Sequence, residues 1–489
     1  MNHMNRREWL CGAAAGLITG VPAEAAEAAA ALRADLPTLQ RAYSLLHPGL
    51  YRYQTPEAFA AKIDALDGRL RHPCSLDDQY LALARLTASI RCGHTYGNFY
   101  NQSKFAQNTL FEGLNRLPFF FVWLGSRLVV THNPMQVEGL QRGSEVLAID
   151  GVSVAEIQAR LLPYIRADGG NDAKRRKLLD VQGIDSFETF DVFYNLLYPM
   201  MSSSFTLKVK SRPNADARLI KVVAFDRQAR LKASPQTNDI TSAGYWSLDF
   251  PAPGVAVMTM PGWALYDAKW DWHARLDDMF ETVAERDTAG LVIDLRENEG
   301  GQDCGYDILA RLIDQPMPVT NTYDRLVRYR STPQDLRPFL DTWDHSFDTL
   351  GEQATDVGNG FFALPSDADD KRGIEPKGPR FKGRVAILSS AQNSSATFQF
   401  IDLMQRNGLA RVYGETTGGN QRGINGGCFF FLRLRNSGLE TDLPLIGQFP
   451  KTPKPDAGLA PDVFIAPSIE DIASGRDAVL ERAVADLRA

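Results

Sequence analysis

The segment from Val385 to Phe400 carries a serine in a setting where a serine can act. It reads as a buried strand, a tight polar turn bearing Ser395-Ala396, and a helix. A second strand follows and ends in the glycine loop Gly414-Glu415-Thr416-Thr417-Gly418-Gly419. This layout holds a hydroxyl at the mouth of an α/β layer, where the first amides of the helix have no partner and can stabilise an oxyanion. The chemistry it suggests is covalent acyl transfer. The plain alternative is a Ser/Asn-rich loop that caps a helix.

A second glycine pair closes Asp294-Leu295-Arg296-Glu297-Asn298-Glu299-Gly300-Gly301, directly after an apolar strand. Glycines at a strand's C-terminal end let backbone amides approach a ligand closely. No GK[ST] follows, which argues against a nucleotide phosphate. Taken in order, this string, Ser395-Ala396 and Gly414–Gly419 resemble the three signatures of the tail-specific (C-terminal processing) serine peptidases. The closing Gly458-Leu459-Ala460-Pro461-Asp462-Val463 adds to the likeness. The resemblance implies a crotonase-like α/β catalytic domain and a nucleophilic Ser395. It also implies an oxyanion hole made by the Ala396 amide and a glycine of the Gly300-Gly301 pair.

One departure matters. Many members pair the serine with a lysine, and here that position is Asn420. An amide side chain cannot take the serine proton. The tricorn-like branch uses a histidine from an early segment, which Gly93-His94-Thr95-Tyr96 resembles, so His94 is the expected general base. In that branch a serine before the histidine and a distant glutamate complete the relay. Here Gly93 replaces the serine, and the acid is Glu440 in preference to Asp456. The remaining histidines considered, His47, His72, His132, His273 and His345, sit in turns or surface-like runs. Cys92, two residues before His94, offers a thiol alternative, but nothing places an oxyanion hole beside it.

Several elements must position these residues. Residues 26–112 read as a helical N-terminal domain, with apolar residues recurring at three and four and a break at His47-Pro48-Gly49. Residues 113–241 look like a PDZ domain: a Gly-rich turn, an apolar strand and an Asp-Gly turn run from Gly139 to Gly151. Such a domain binds peptide ends by adding a strand to its sheet. Residues 167–199 read as an insertion within it. Residues 242–489 alternate strands with helices, as a parallel α/β catalytic domain does. Residues 329–379, rich in Pro and Asp, read as a surface excursion.

At 489 residues and 44% hydrophobic, the chain can bury several cores. A net charge of −6 with no basic block argues against nucleic acid as a partner. Residues 1–25 resemble an export signal: Arg6-Arg7 precedes an apolar run to Val21, then Ala23-Glu24-Ala25. The paired arginines fit a twin-arginine signal, and the expected location is periplasmic or secreted. No later run reaches membrane-spanning length, so no stable membrane insertion is expected. Neither CxxC nor HExxH occurs, so neither metal nor cofactor is expected. The four cysteines left after the signal allow three disulfide connectivities. The sequence therefore predicts an exported serine endopeptidase acting on peptides or unfolded proteins. The alternatives are a non-catalytic peptide-binding protein on the same scaffold and, more distantly, an acyl-thioester enzyme.

Overall fold

The computed structural model describes residues 23–113, 115–199, 202–234, 239–318, 322–365 and 373–489. Three six-stranded sheets carry the architecture. The first is built from β1 (Phe120–Leu124), β2 (Arg127–His132), β3 (Glu145–Ile149), β4 (Val152–Ser153), β5 (Ser204–Lys210) and β6 (Arg218–Val223). The later strands are β7 (Ser247–Ala252), β8 (Val255–Thr259), β9 (Gly290–Asp294), β10 (Tyr323–Val327), β11 (Leu340–Asp341) and β12 (Thr355–Gly358). They continue as β13 (Phe361–Ala363), β14 (Arg384–Ser389), β15 (Arg411–Gly414), β16 (Asn425–Leu434), β17 (Leu439–Pro450) and β18 (Val463–Phe464).

The mostly parallel sheet runs β18-β15-β14-β9-β8-β7, with only β7 antiparallel to its neighbour. Every residue of β9 is buried, as expected for a central parallel strand covered on both faces. Side chains alternate between those faces. Ala256, Met258, Leu291, Ile293 and Ile387 meet the helices Trp272–Glu285, Cys304–Ala310 and Ser395–Arg406. Val255, Val257, Val292, Ala386 and Leu388 meet Val479, Ala483 and Leu487 of the last helix, Ala478–Arg488.

The residues from Phe429 to Leu434 do not join that sheet. They lie in an antiparallel sheet ordered β11-β16-β17-β10-β13-β12. Much of the expected surface excursion belongs there too, as β11, β12 and β13. The helix Ala23–Leu46 packs on this sheet: the Tyr43 hydroxyl donates to Thr441 Oγ1 at 2.9 Å, and Asp35 accepts from the Ser437 amide and hydroxyl in the β16–β17 turn. One apolar core therefore runs from the N-terminal helices through the first sheet to β16 and β17.

Residues 167–199 are not an appendage. They form the helices Asp172–Lys177 and Thr189–Leu197, and Val181 exchanges two backbone hydrogen bonds with Phe121 on the edge of β1. Among the described residues, Cys74, Cys92 and Cys304 form no disulfide. Among the described residues, no helix is long and apolar enough to cross a membrane. The export signal and its paired arginines lie almost wholly outside the described residues, and the helix beginning at Ala23 includes the expected cleavage site.

Candidate active site

Ser395 opens the helix that follows β14, and its backbone is left-handed, with φ of +51°. Few residues other than glycine adopt that conformation, which costs about 1–3 kcal/mol and must be held by its surroundings. Asn393 supplies much of that hold. Its amide donates to the carbonyls of Leu295 at 2.5 Å and Asn298 at 3.0 Å, and its carbonyl accepts from Gly418 and Gly419. The Ser394 hydroxyl donates to the Glu299 carbonyl, and Ser390 donates to that of Arg296. The three sequence signatures thus meet at one turn.

Gly300 lies against the serine. A Cβ there would stand 2.8 Å from Ser395 Cβ and 3.0 Å from the Ala396 amide nitrogen, so the position excludes side chains. The N–H of Gly300 itself is donated to Asn298 Oδ1 at 2.9 Å, an oxygen that also accepts from the Thr397 hydroxyl. The Gly301 and Ala396 amides have no acceptor among the described residues. Of the two glycines named from sequence, only Gly301 therefore has an N–H to offer an oxyanion.

His94 follows the helix Leu76–Ala88 on an irregular turn, not a strand, so the alternation that would align it with Cys92 does not apply. Burial pushes the Cys92 thiol up to about 11, and Asn425 donates to its sulfur. The His94 ring packs near Gly426 and Phe429, and its Nδ1 is buried without a hydrogen-bond partner. Its backbone is clamped on both sides. The Gly93 amide donates to Asp168 Oδ1 at 2.8 Å, and the Gly93 carbonyl accepts from Arg166 at 2.7 Å.

Arg166 also grips Glu299 with two bonds of 2.8 and 3.0 Å. Buried Lys174 joins that carboxylate at 2.8 Å and donates to the Gln392 carbonyl at 2.8 Å. The loop of His94, the turn of Ser395 and the glycine pair are consequently fastened by one charged cluster. Burial lowers the His94 pKa; Asp168 and Glu299 oppose that shift, while Arg166 and Lys174 reinforce it. The ring is neutral at pH 7 and able to accept a proton. Burial opposes the charge on Glu299, yet Arg166 and Lys174 hold its carboxyl well below the usual range.

Both acids named from sequence carry other partners. Glu440 pairs with Arg433, which also holds Asp341, and Gln102 bonds its backbone on both sides. Asp456 accepts from Asn420 at 2.7 Å and from the Gly170 amide at 3.0 Å. Asn420, at the position of the absent lysine, ties Asp456 to the Asp168 carbonyl. Sequence reasoning missed Arg166, Asp168 and Lys174 because their segment carries no local signature; the one hint is Asp168-Gly169-Gly170-Asn171, a polar glycine turn. His47 was read as a turn residue and is fully buried, its Nε2 2.8 Å from Thr95 Oγ1 beside the site.

Residues 254–426 match the family model of Peptidase family S41. Among solved structures, the chain is similar to mature CPAF complexed with lactacystin, with 16% identity and a TM-score of 0.65 over 94% of this chain and 98% of that one. Mature CPAF alone matches with 16% identity and a TM-score of 0.62, over 94% and 96% of the two chains. At such identities the likeness speaks for the fold. No curated protein sequence matches.

Proposed function

We propose that this chain, a serine-type peptidase carrying a Peptidase family S41 domain, hydrolyses peptide bonds through an acyl-enzyme on Ser395 with His94 as general base. What supports this reading is one arrangement: Ser395 held in a left-handed conformation against Gly300, with the Ala396 and Gly301 amides unpaired.

In the first half-reaction His94 accepts the Ser395 proton as Oγ bonds to the substrate carbonyl carbon. The two free amides take the oxyanion; loss of one such donor typically costs about 10²–10³ in kcat. His94 then gives its proton to the leaving amine as the C–N bond breaks. In the second half it accepts a proton from water, whose oxygen bonds to the ester carbon, and returns that proton to Ser395 Oγ as the acyl C–Oγ bond breaks. Asn420 takes no part as a base. The substrates are peptides or unfolded proteins.

The leader at residues 1–25 adds a location, periplasmic or secreted. Intact-mass analysis of the purified exported protein is expected to show a new N-terminus near residue 25; retention of Met1 in that fraction would refute processing. Catalysis is tested with Ser395→Ala, His94→Ala and Asn420→Ala on unfolded protein and peptides. The first two are expected to lose turnover, and wild-type Ser395 is expected to react with a serine-directed phosphonate. Undiminished cleavage by Ser395→Ala would overturn the assignment.

A further inference from the structure

We infer that Asp168 is the positioning residue of His94, its buried carboxylate fixing the loop that presents the ring. The inference rests on the reading of His94 as the base.

Asp168 is only 3% exposed. A carboxylate so buried normally requires an ionic partner, yet among the described residues no lysine or arginine forms a salt bridge with it. Its Oδ1 accepts the Gly93 N–H, and a Cβ on Gly93 would stand 2.8 Å from Oδ2 and 3.2 Å from Cγ. The carboxylate therefore occupies the space where a side chain of residue 93 would lie, one residue from the ring. Gly93 is glycine because Asp168 is there.

The ring supplies the complementary half. His94 Nδ1 is a buried nitrogen without a partner, and the buried Asp168 carboxylate, whose Oδ1 accepts the Gly93 N–H, is an acid that favours the protonated ring. The other charges facing the ring are Arg166, Glu299 and Lys174. Arg166 and Lys174 share the single Glu299 carboxylate, so that cluster keeps one net positive charge, and Asp168 is the acid that balances it. On the β16 side the ring meets Gly426 and Phe429, neither of them charged.

Asp168 is itself fixed from behind. Its carbonyl accepts from Asn420 at 3.2 Å, and the following Gly169 exchanges bonds with Arg91, its amide donating at 2.9 Å and its carbonyl accepting at 3.1 Å. When His94 takes the serine proton, the imidazolium charge forms in the field of this carboxylate, and Nδ1–H, unpartnered in the resting structure, is the donor available to it.

The test compares wild type with Asp168→Asn and Asp168→Glu in kcat/KM against pH, together with phosphonate labelling of Ser395. The acid limb of wild type reports His94 in the free enzyme. Asp168→Asn is expected to lower kcat/KM by about 10²–10⁴ and to move the acid limb to lower pH, since a negative charge that favours the imidazolium is gone. Asp168→Glu is expected to restore the limb's position and part of the rate. A Asp168→Asn limb that stays in place would reduce Asp168 to a structural role and overturn the inference. If Asp168→Asn fails to fold, the ¹⁵N spectrum of histidine-labelled wild type decides, with His94→Gln assigning the signal: the Nδ1–H tautomer is expected, and Nε2–H overturns the inference. Absence of wild-type labelling, or full activity in His94→Ala, would instead refute the catalytic reading beneath it.

Discussion

At the scale of single residues, the site is set by positions where a side chain is forbidden or a nitrogen is left over. Gly93 is one. An added methyl would collide with Asp168, and overpacking of this kind costs about 1–3 kcal/mol. Gly93→Ala is therefore expected to lower the unfolding free energy measured in urea by that amount and to depress turnover more than its stability loss explains. The histidines give a second expectation. Burial pushes His47 down to about 3 and lowers His94 as well, so both are neutral in the native state at pH 7. The unfolded chain takes up protons near pH 6.5, and the native state does so only lower. Stability should therefore fall as pH drops below about 6.5, by up to about 1.4 kcal/mol per unit for each histidine. Urea titrations at pH 7.5 and pH 5 check this, and His47→Gln should flatten the slope by about half.

At the scale of elements, the connection between β4 and β5 decides whether the site exists. The sequence reads residues 167–199 of it as an insertion, yet that stretch delivers Asp168 and Lys174, and Arg166 directly precedes it. Lys174 is the buried link between the Glu299 loop and the Gln392 turn. Breaking a buried pair at one partner typically costs about 3–5 kcal/mol, because the other charge is left in place. Lys174→Met is expected to lose stability on the lower side of that range, since Arg166 still holds Glu299. Its kcat should fall with KM little changed, as the nucleophile turn and the glycine pair lose their common tie. An unaltered kcat would show that Arg166 alone suffices.

At the scale of the whole molecule, the parts behave as one body because late and early segments interlock. The short helix Ile469–Ser474 buries Ile469 and Ile472 on Val129 of the first sheet, and Arg142 donates to the Ile472 carbonyl. Ile472→Ala should cost about 2–5 kcal/mol by the usual large-to-small range, with faster hydrogen exchange in β2 as the local signature. The sequence by itself determined the parallel sheet, the serine turn and the glycine pair. Strand periodicity, the apolar run of β9 and turn glycines are local properties that need no distant partner to be legible. It also determined that Asn420 is no base, which follows from amide chemistry alone. Only the tertiary structure decided which glycine amide is free, that Glu440 pairs with Arg433, that β16 leaves the parallel sheet, and that a buried acid fills the space beside Gly93. Each of these depends on which distant group reaches a hydrogen-bonding atom first, and chain folding sets that competition, not sequence spacing.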